Sequence, residues 1–161
     1  DQNQLHYYDL KSKKDYTIYQ INDAGWLSWS PDNQKIVYDQ GLGGKRTLKI
    51  VDIGTGEIQT LTTLWEFGFC ESWAPDWSPD GEWIAFNTCQ GELYIIAPNG
   101  KKLSKIRTAN EVYNPRWSID GNWILLLNDG KLLAARKDGQ DLIFLGDQPK
   151  RWGPFSIGSI H

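Results

Sequence analysis

The segment WSPDGEWIAF at 77–86 nearly recurs as WSPDNQKIVY at 29–38 and as WSIDGNWILL at 117–126. This repetition constrains the fold more than any other feature of the chain, because each copy must form the same small structural unit. Within the copies, Trp77 follows Trp29 by 48 residues and precedes Trp117 by 40 residues. A period of 40 to 48 residues is typical of repeat architectures.

A glycine-containing turn recurs at a similar interval. Its copies are GTGE at 54–57, PNGK at 98–101 and KDGQ at 137–140. Each repeat then divides into four short strands, which in the middle copy are predicted at 72–78, 82–88, 92–97 and 102–108. The 161-residue chain contains nine Trp, seven Tyr, five Phe and no Met, and this composition also favours strands.

The Ser-Pro-Asp-Gly segment has the chemistry of a type I turn, with Pro at the second position and Gly at the fourth. A left-handed residue after such a turn makes a common three-residue hairpin loop. This loop predicts Trp77 opposite Trp83 and Trp117 opposite Trp123. Eight residues of the repeat are predicted to have structural roles, with the aspartates as turn formers: Trp29, Asp32, Trp77, Asp80, Gly81, Trp117, Asp120 and Gly121.

Four antiparallel strands per 40 or so residues indicate the blades of an all-β propeller. The segments PDWSPDGEWIAF (75–86) and PRWSIDGNWILL (115–126) also resemble the repeat of the TolB-type, WD40-like propellers, known as the PD40 repeat. WD40 proper fits less well, because the Gly-His and Trp-Asp pairs are missing from the expected places. The resemblance covers nearly the whole chain.

The chain divides into about three full blades with partial ones at its ends. The predicted ranges are a partial blade at 1–24, blades at about 25–68, 69–110 and 111–150, and a terminal strand at 151–161. This count does not close a ring. Either the chain is a portion of a larger ring, or copies associate to complete one, since an unclosed fan leaves sheet edges and an apolar face exposed.

The resemblance implies a non-catalytic scaffold that recognises other proteins, often in the bacterial envelope, and hence an extracytoplasmic location. Two alternatives stay open: an accessory propeller of a prolyl-oligopeptidase-like peptidase, and a platform for small ligands or glycans. A hydrolase encoded downstream would favour the first, and sugar binding lost on Trp65→Ala or Trp73→Ala would favour the second.

Composition and motifs argue against other classes. The net charge is −3, so the composition does not indicate the basic surface that nucleic-acid binding requires. No apolar stretch reaches the roughly 18 residues of a membrane span. PFSIG at 154–158 lacks the first glycine of a nucleophile elbow, and GLGGKRT at 41–47 misses the phosphate-loop spacing. With two Cys and only two His, His6 and His161, no zinc set is expected. We therefore expect no enzyme activity, metal or cofactor.

Cys70 and Cys89 flank the hairpin of the middle repeat. In the register predicted above, Cys70 faces Gln90, and one β-bulge would bring the two sulfurs opposite each other. A disulfide and a pair of buried free thiols both fit this arrangement. A disulfide would imply an oxidising compartment.

The first repeat is longer than the second by eight residues, and the excess falls in two loops. About four residues are added near GLGGKR and about four in TLWEFGFCESWAP. In a four-stranded antiparallel blade, the loops after strands two and four emerge at the same edge, so both enlargements lie together. Aromatic anchors with cations around them are typical of protein-binding hot spots. The candidate partner-binding residues are therefore Trp65, Phe67, Phe69, Trp73, Lys45 and Arg46, with inward packing of the aromatics as the alternative.

Overall fold

The computed structural model describes residues 5–18, 21, 24–41, 46–63, 74–108 and 111–147. Throughout this part of the chain the regular elements are all strands. They are β1 (Leu5–Asp9), β2 (Lys14–Ile18), β3 (Ala24–Trp29), β4 (Lys35–Gln40), β5 (Thr47–Asp52), β6 (Ile58–Thr63), β7 (Asp76–Trp77), β8 (Ile84–Asn87), β9 (Leu93–Ile96), β10 (Leu103–Ile106), β11 (Tyr113–Trp117), β12 (Trp123–Asn128), β13 (Lys131–Arg136) and β14 (Leu142–Asp147).

The strands form three four-stranded sheets, each antiparallel and each in chain order. We name them blade 1 (β3–β6), blade 2 (β7–β10) and blade 3 (β11–β14). A separate two-stranded N-terminal sheet pairs β1 with β2. The predicted all-β fold of four-stranded antiparallel blades is confirmed. The predicted blade boundaries lie in or beside segments outside the described residues and remain predictions.

The hairpin turn between the first two strands of each blade is held by its own side chains. In blade 2, the Ser78 hydroxyl donates to Asp80 Oδ1 at 2.5 Å and accepts the backbone N–H of Trp83 at 2.9 Å. Asp80 Oδ1 also accepts the N–H of Glu82 at 3.0 Å. The same three bonds recur in blade 1 with Ser30, Asp32, Gln34 and Lys35, and in blade 3 with Ser118, Asp120, Asn122 and Trp123.

The predicted left-handed residue is present in every copy of this turn. Asn33 has a φ of 57°, Gly81 of 74° and Gly121 of 67°. Each donates its N–H to the carbonyl oxygen of the repeat serine three residues earlier, at 2.9 to 3.0 Å. Glycine and asparagine adopt this conformation at the lowest cost, which explains their presence at this position.

The predicted register of the hairpin is wrong by one residue. Trp77 pairs with Ile84 rather than with Trp83, and Trp117 pairs with Ile124 rather than with Trp123. The reason is that the backbone N–H of Ser78 donates to Trp83 O at 2.8 Å, so these two residues close a loop of four residues rather than three.

Because side chains alternate along a strand, this shift sends the two tryptophans of blade 2 to opposite faces of the sheet. Trp77 is buried in the cluster shared by blades 1 and 2, whereas Trp83 packs against the cluster shared by blades 2 and 3. They do not form a stacked pair.

The core consists of successive apolar seams between neighbouring sheets. The seam between blades 1 and 2 contains Val37, Leu48, Ile50, Leu61, Trp77, Ile84, Phe86 and Ile96. The seam between blades 2 and 3 contains Ala85, Leu93, Ile95, Ile106, Val112, Trp117, Ile124, Leu126 and Ala135. The N-terminal sheet meets blade 1 through Ile18, Ile21, Ile36, Tyr38 and Val51.

The three repeat tryptophans hold equivalent positions but differ in exposure. Trp77 and Trp117 are each 8% exposed, because a four-stranded blade covers them. Trp29 is 37% exposed and makes a T-shaped contact with the Tyr7 ring of the N-terminal sheet, at 5.9 Å between ring centroids. Exposure of Trp29 thus follows from the smaller sheet on its side.

We predict that Ser78→Ala lowers the free energy of unfolding by about 1 to 3 kcal/mol, because it leaves the backbone N–H of Trp83 without its acceptor. Ser78 is fully buried. Urea denaturation followed by tryptophan fluorescence measures the change. Ser104→Ala, at an exposed position of β10, is the control and should change stability by less than about 0.5 kcal/mol. Equal effects of the two variants would contradict a structural role for the repeat serine.

We also predict an acid-sensitive contribution from the turn aspartates. The Ser118 hydroxyl, then the Asn122 N–H, hold the pKa of Asp120 below its usual value. A lowered folded-state pKa means that this stabilisation is complete above the unfolded value near ~3.9 and is lost as the pH falls through the folded-state pKa. Asp120→Asn should therefore flatten the decline of melting temperature below about pH 4. Asp129→Asn, an exposed carboxylate outside these turns, is the control; an unchanged acid decline in Asp120→Asn would rule out this contribution.

Candidate functional site at the loop-bearing edge

The loops after the second and fourth strands of blade 1 leave the sheet at one edge, which we call the loop-bearing edge. There β4 ends at Gln40, β5 begins at Thr47 and β6 ends at Thr63. The serine-aspartate turns lie at the opposite end, the turn edge. Of the predicted partner-binding residues, Arg46 is described, and five lie outside the described residues: Lys45, Trp65, Phe67, Phe69 and Trp73.

Arg46 forms an ion pair with a fully buried carboxylate. Its Nη1 donates to Asp39 Oδ2, and the two side chains are 21% and 0% exposed. Burial raises the pKa of Asp39, while the Arg46 guanidinium and the backbone N–H of Trp26 act to lower it. Burying a carboxylate is costly unless it is paired, so Arg46 is held in place by Asp39. The ion pair fixes the Arg46 side chain against β4, so its guanidinium does not project freely into solvent.

Gly25 makes room for this ion pair. A Cβ at this position would lie 2.6 Å from Arg46 Nη1 and 2.7 Å from Asp39 Oδ1. The absence of a side chain lets the pair lie directly against β3. Since Asp39 precedes the 41–46 segment and Arg46 ends it, the pair joins the two ends of this loop.

A second contact, close to the first, joins β4 to β5. Lys49 Nζ donates to Gln40 Oε1 at 2.7 Å, one residue further along β4 than Asp39. The base of the enlarged loop is therefore held by two polar side-chain contacts. A rigid base is what a binding loop needs in order to present its residues without a large ordering cost.

Trp26 is the exposed aromatic side chain in the described part of this region. It lies on β3, three residues before Trp29, and is 49% exposed. The equivalent positions in the other two blades hold Ala74 and Asn114. Trp26 was not among the residues predicted from the sequence. Alignment of the repeats on their tryptophans would have singled it out as the one large aromatic residue at this position.

Asp76 joins three blades near the axis on which their first strands converge. Its Oδ2 accepts the N–H of Trp117 in blade 3 at 2.8 Å, and its Oδ1 accepts the hydroxyl of Ser28 in blade 1 at 3.3 Å. Ser28 Oγ in turn accepts the N–H of Trp77 at 3.2 Å. Arg116 Nη1 lies 3.7 Å from Asp76 Oδ1. These contacts fix the angle between the blades.

The Asp76 side chain is mostly buried. Burial raises the pKa of this carboxyl, and the N–H of Trp117 and the charge of Arg116 oppose the shift. Asp76 was not among the residues that the sequence singled out. Its position directly before the repeat tryptophan, where the other copies hold Ser28 and Arg116, was the available signal.

Cys89 is disulfide-bonded in the structure and packs against the seam between blades 1 and 2. Cys70, the other cysteine of the sequence, lies outside the described residues, so the predicted pairing of the two stays a prediction. Within the described ranges no group of three His, Cys, Asp or Glu side chains is arranged to hold a metal ion. Nor does any helix there have the length and apolarity to cross a membrane.

Comparison with solved structures identifies the architecture. TolB from Acinetobacter baumannii matches with a TM-score of 0.73 and 17% identity, over 89% of this chain and 38% of that chain. Putative TolB from Agrobacterium tumefaciens matches at 0.68 and 22%, over 83% and 54%. Oligogalacturonate lyase in complex with manganese matches at 0.68 and 17%, over 91% and 48%. No protein-family model matches the sequence, and no curated protein does.

These similarities establish the fold. The chain has a TolB-like β-propeller fold and forms part of a propeller scaffold. It spans between 38% and 54% of the length of the three structures named above. Identities of 17% to 22% carry information about architecture rather than about partners or chemistry.

We predict that Gly25→Ala destabilises the protein by about 1 to 3 kcal/mol, because the added methyl group must displace the Asp39–Arg46 ion pair. Chemical denaturation measures the effect. Gly54→Ala is the matched control, since its Cβ would meet its nearest neighbour, Asp52 Oδ1, at an ordinary 3.5 Å. A loss of stability in Gly54→Ala as large as in Gly25→Ala would show that the ion pair is not the cause.

Proposed function

We propose that this chain belongs to a non-catalytic propeller that binds a protein partner at its loop-bearing edge. The observation that carries the proposal is the exposed Trp26 beside a loop whose base is held by the Asp39–Arg46 pair. Tryptophan is among the residues most enriched at binding hot spots, where a rigid aromatic anchor fills a pocket on the partner.

The bracing of the blades supports this proposal. Asp76 ties the first strands of three blades together, so the edge from which the loops emerge keeps its shape. A pre-organised surface loses little conformational entropy on binding, and more of its contact energy then appears as affinity. Trp65, Phe67, Phe69 and Trp73 stay predicted members of this surface.

The contacts of the titratable side chains support a non-catalytic role, because these groups bind other parts of the chain. The turn aspartates accept hydrogen bonds from their own turns, Asp39 is paired with Arg46, and Asp76 binds neighbouring blades. His6 is half exposed and contacts Thr17 and Asp15 of the adjacent strand. Each of these groups already has a structural partner.

We further propose an extracytoplasmic location, supported by the disulfide at Cys89. Disulfides persist in oxidising compartments and are rare in the cytosol. The protein partner would then be another protein of the same compartment.

Photo-cross-linking in the native host tests the binding surface. Benzoylphenylalanine at position 26 of the full-length protein should yield a discrete adduct with one protein. The same group at position 103, on the turn edge of blade 2, should not, although Leu103 is 42% exposed against 49% for Trp26. Trp26→Ala should weaken binding of the identified partner more than about tenfold. Adducts of equal yield at both positions, or unchanged affinity of Trp26→Ala, would refute the proposed surface.

A further inference from the structure

A cavity of about 310 Å³ lies at the turn edge, between the N-terminal sheet and the turn that joins β5 to β6. Its walls include Tyr7, Tyr16 and Ile18 from the N-terminal sheet, and Asp52 and Ile53 from blade 1. This volume is at the lower end of the range for small-molecule sites. The cavity is at the opposite end of the strands from the loop-bearing edge, so it is separate from the surface proposed above.

One wall is a rigid pair of aromatic rings. Tyr7 and Tyr16 pair across β1 and β2, with their ring centroids 5.0 Å apart and an interplanar angle of 11°. The Trp29 ring makes a T-shaped contact with Tyr7, at 5.9 Å between ring centroids and 81°, and so adds a second aromatic contact to this ring. Tyr16 is 38% exposed and therefore offers ring surface to a ligand.

Asp52 brings a pre-oriented carboxylate to the same cavity. Its Oδ1 accepts the backbone N–H groups of Gly54 and Thr55, each at 3.0 Å, and the Thr55 hydroxyl at 3.1 Å. The Thr55 backbone N–H contributes most to lowering the pKa of this group, so it is ionised at neutral pH. All three bonds engage Oδ1, and Oδ2 takes no part in them.

The charge of the cavity is negative. Among the seven lining residues that the structure describes, Asp52 is the one carboxylate, and burial raises the already high pKa of Tyr7. Lys35 lies opposite Asp52 in the strand register and reduces this negative charge in part, but it is not a lining residue. A carboxylate beside the faces of aromatic rings is the combination that recognises organic cations.

We propose that this cavity binds a small organic cation, with an alkylammonium or guanidinium group at the Asp52 carboxylate and its carbon atoms on the Tyr16 ring. Two sources share this chemistry: a free amine, and a lysine or arginine side chain of a protein. A neutral sugar fits less well, because it would form no ion pair with Asp52 and the Thr17 hydroxyl already contacts His6 Nδ1 at 3.1 Å. The inference does not depend on the function proposed for the loop-bearing edge.

The test is a nuclear magnetic resonance titration of the protein with choline and with its uncharged isostere 3,3-dimethylbutan-1-ol. Choline should shift the Tyr16 ring signals in a saturable way, and the isostere should bind at least about tenfold more weakly. Nα-acetyl-lysinamide and Nα-acetyl-argininamide form the side-chain arm, and glucose forms the sugar arm.

Variants separate the carboxylate from general charge effects. Asp52→Asn retains an oxygen that can accept the three turn bonds, so the fold should persist while cation affinity falls about tenfold. Asp138→Asn removes the same charge from the corresponding turn of blade 3 and should leave affinity unchanged. Tyr16→Leu is a second variant of the site, should Asp52→Asn lower the melting temperature, and should weaken choline binding several-fold.

Binding of choline or either acetylated amide, with loss in Asp52→Asn or Tyr16→Leu, would support the site, and the tighter of the two arms would indicate the source. The site is overturned if no cation binds, if the neutral isostere or glucose binds as well as choline, or if Asp138→Asn weakens binding as much as Asp52→Asn.

Discussion

The burial of both sheet faces in blades 1 and 2 is the constraint on which this structure depends. Ile36 and Val37 are adjacent in β4 and both are almost fully buried, yet Ile36 belongs to the seam with the N-terminal sheet and Val37 to the seam with blade 2. One neighbouring sheet could bury only half of the apolar side chains of such a strand, because successive side chains point to opposite faces. Sheets with two apolar faces must stand between two others, and a fan of blades follows from this requirement.

Polar contacts then set how the apolar faces meet. Asp76 binds Ser28 on one side and Trp117 on the other, so one carboxylate fixes the relation of three first strands. Asp39 and Arg46 have a comparable role within blade 1, where they join the ends of the enlarged loop over Gly25. Burial of apolar surface is non-directional, whereas these hydrogen bonds and ion pairs are directional. A scaffold built in this way can present different loops without changing its frame.

The repeats allowed the fold to be predicted, but the residues that connect them were harder to recognise. Turn chemistry and the tryptophan period are local features, and they correctly predicted four strands per blade and the left-handed residues Asn33, Gly81 and Gly121. The hairpin register was wrong because Ser78 contributes a side-chain acceptor to the loop, an interaction that composition rules for turns do not include. The Tyr7–Tyr16–Asp52 cavity could not be predicted, since it joins residues about 40 positions apart in sequence.

By itself, the sequence determined the kind of unit, its number of strands and its repetition, because these depend on the period of the repeat and on turns of a few residues. The tertiary structure alone decided which polar residues meet between blades, where Arg46 finds its carboxylate, and which aromatic residues stay exposed. Those outcomes depend on distances between residues that are not adjacent in the chain, within one blade or between separate sheets. Such distances arise only when the apolar faces come together, and no local pattern in the chain encodes them.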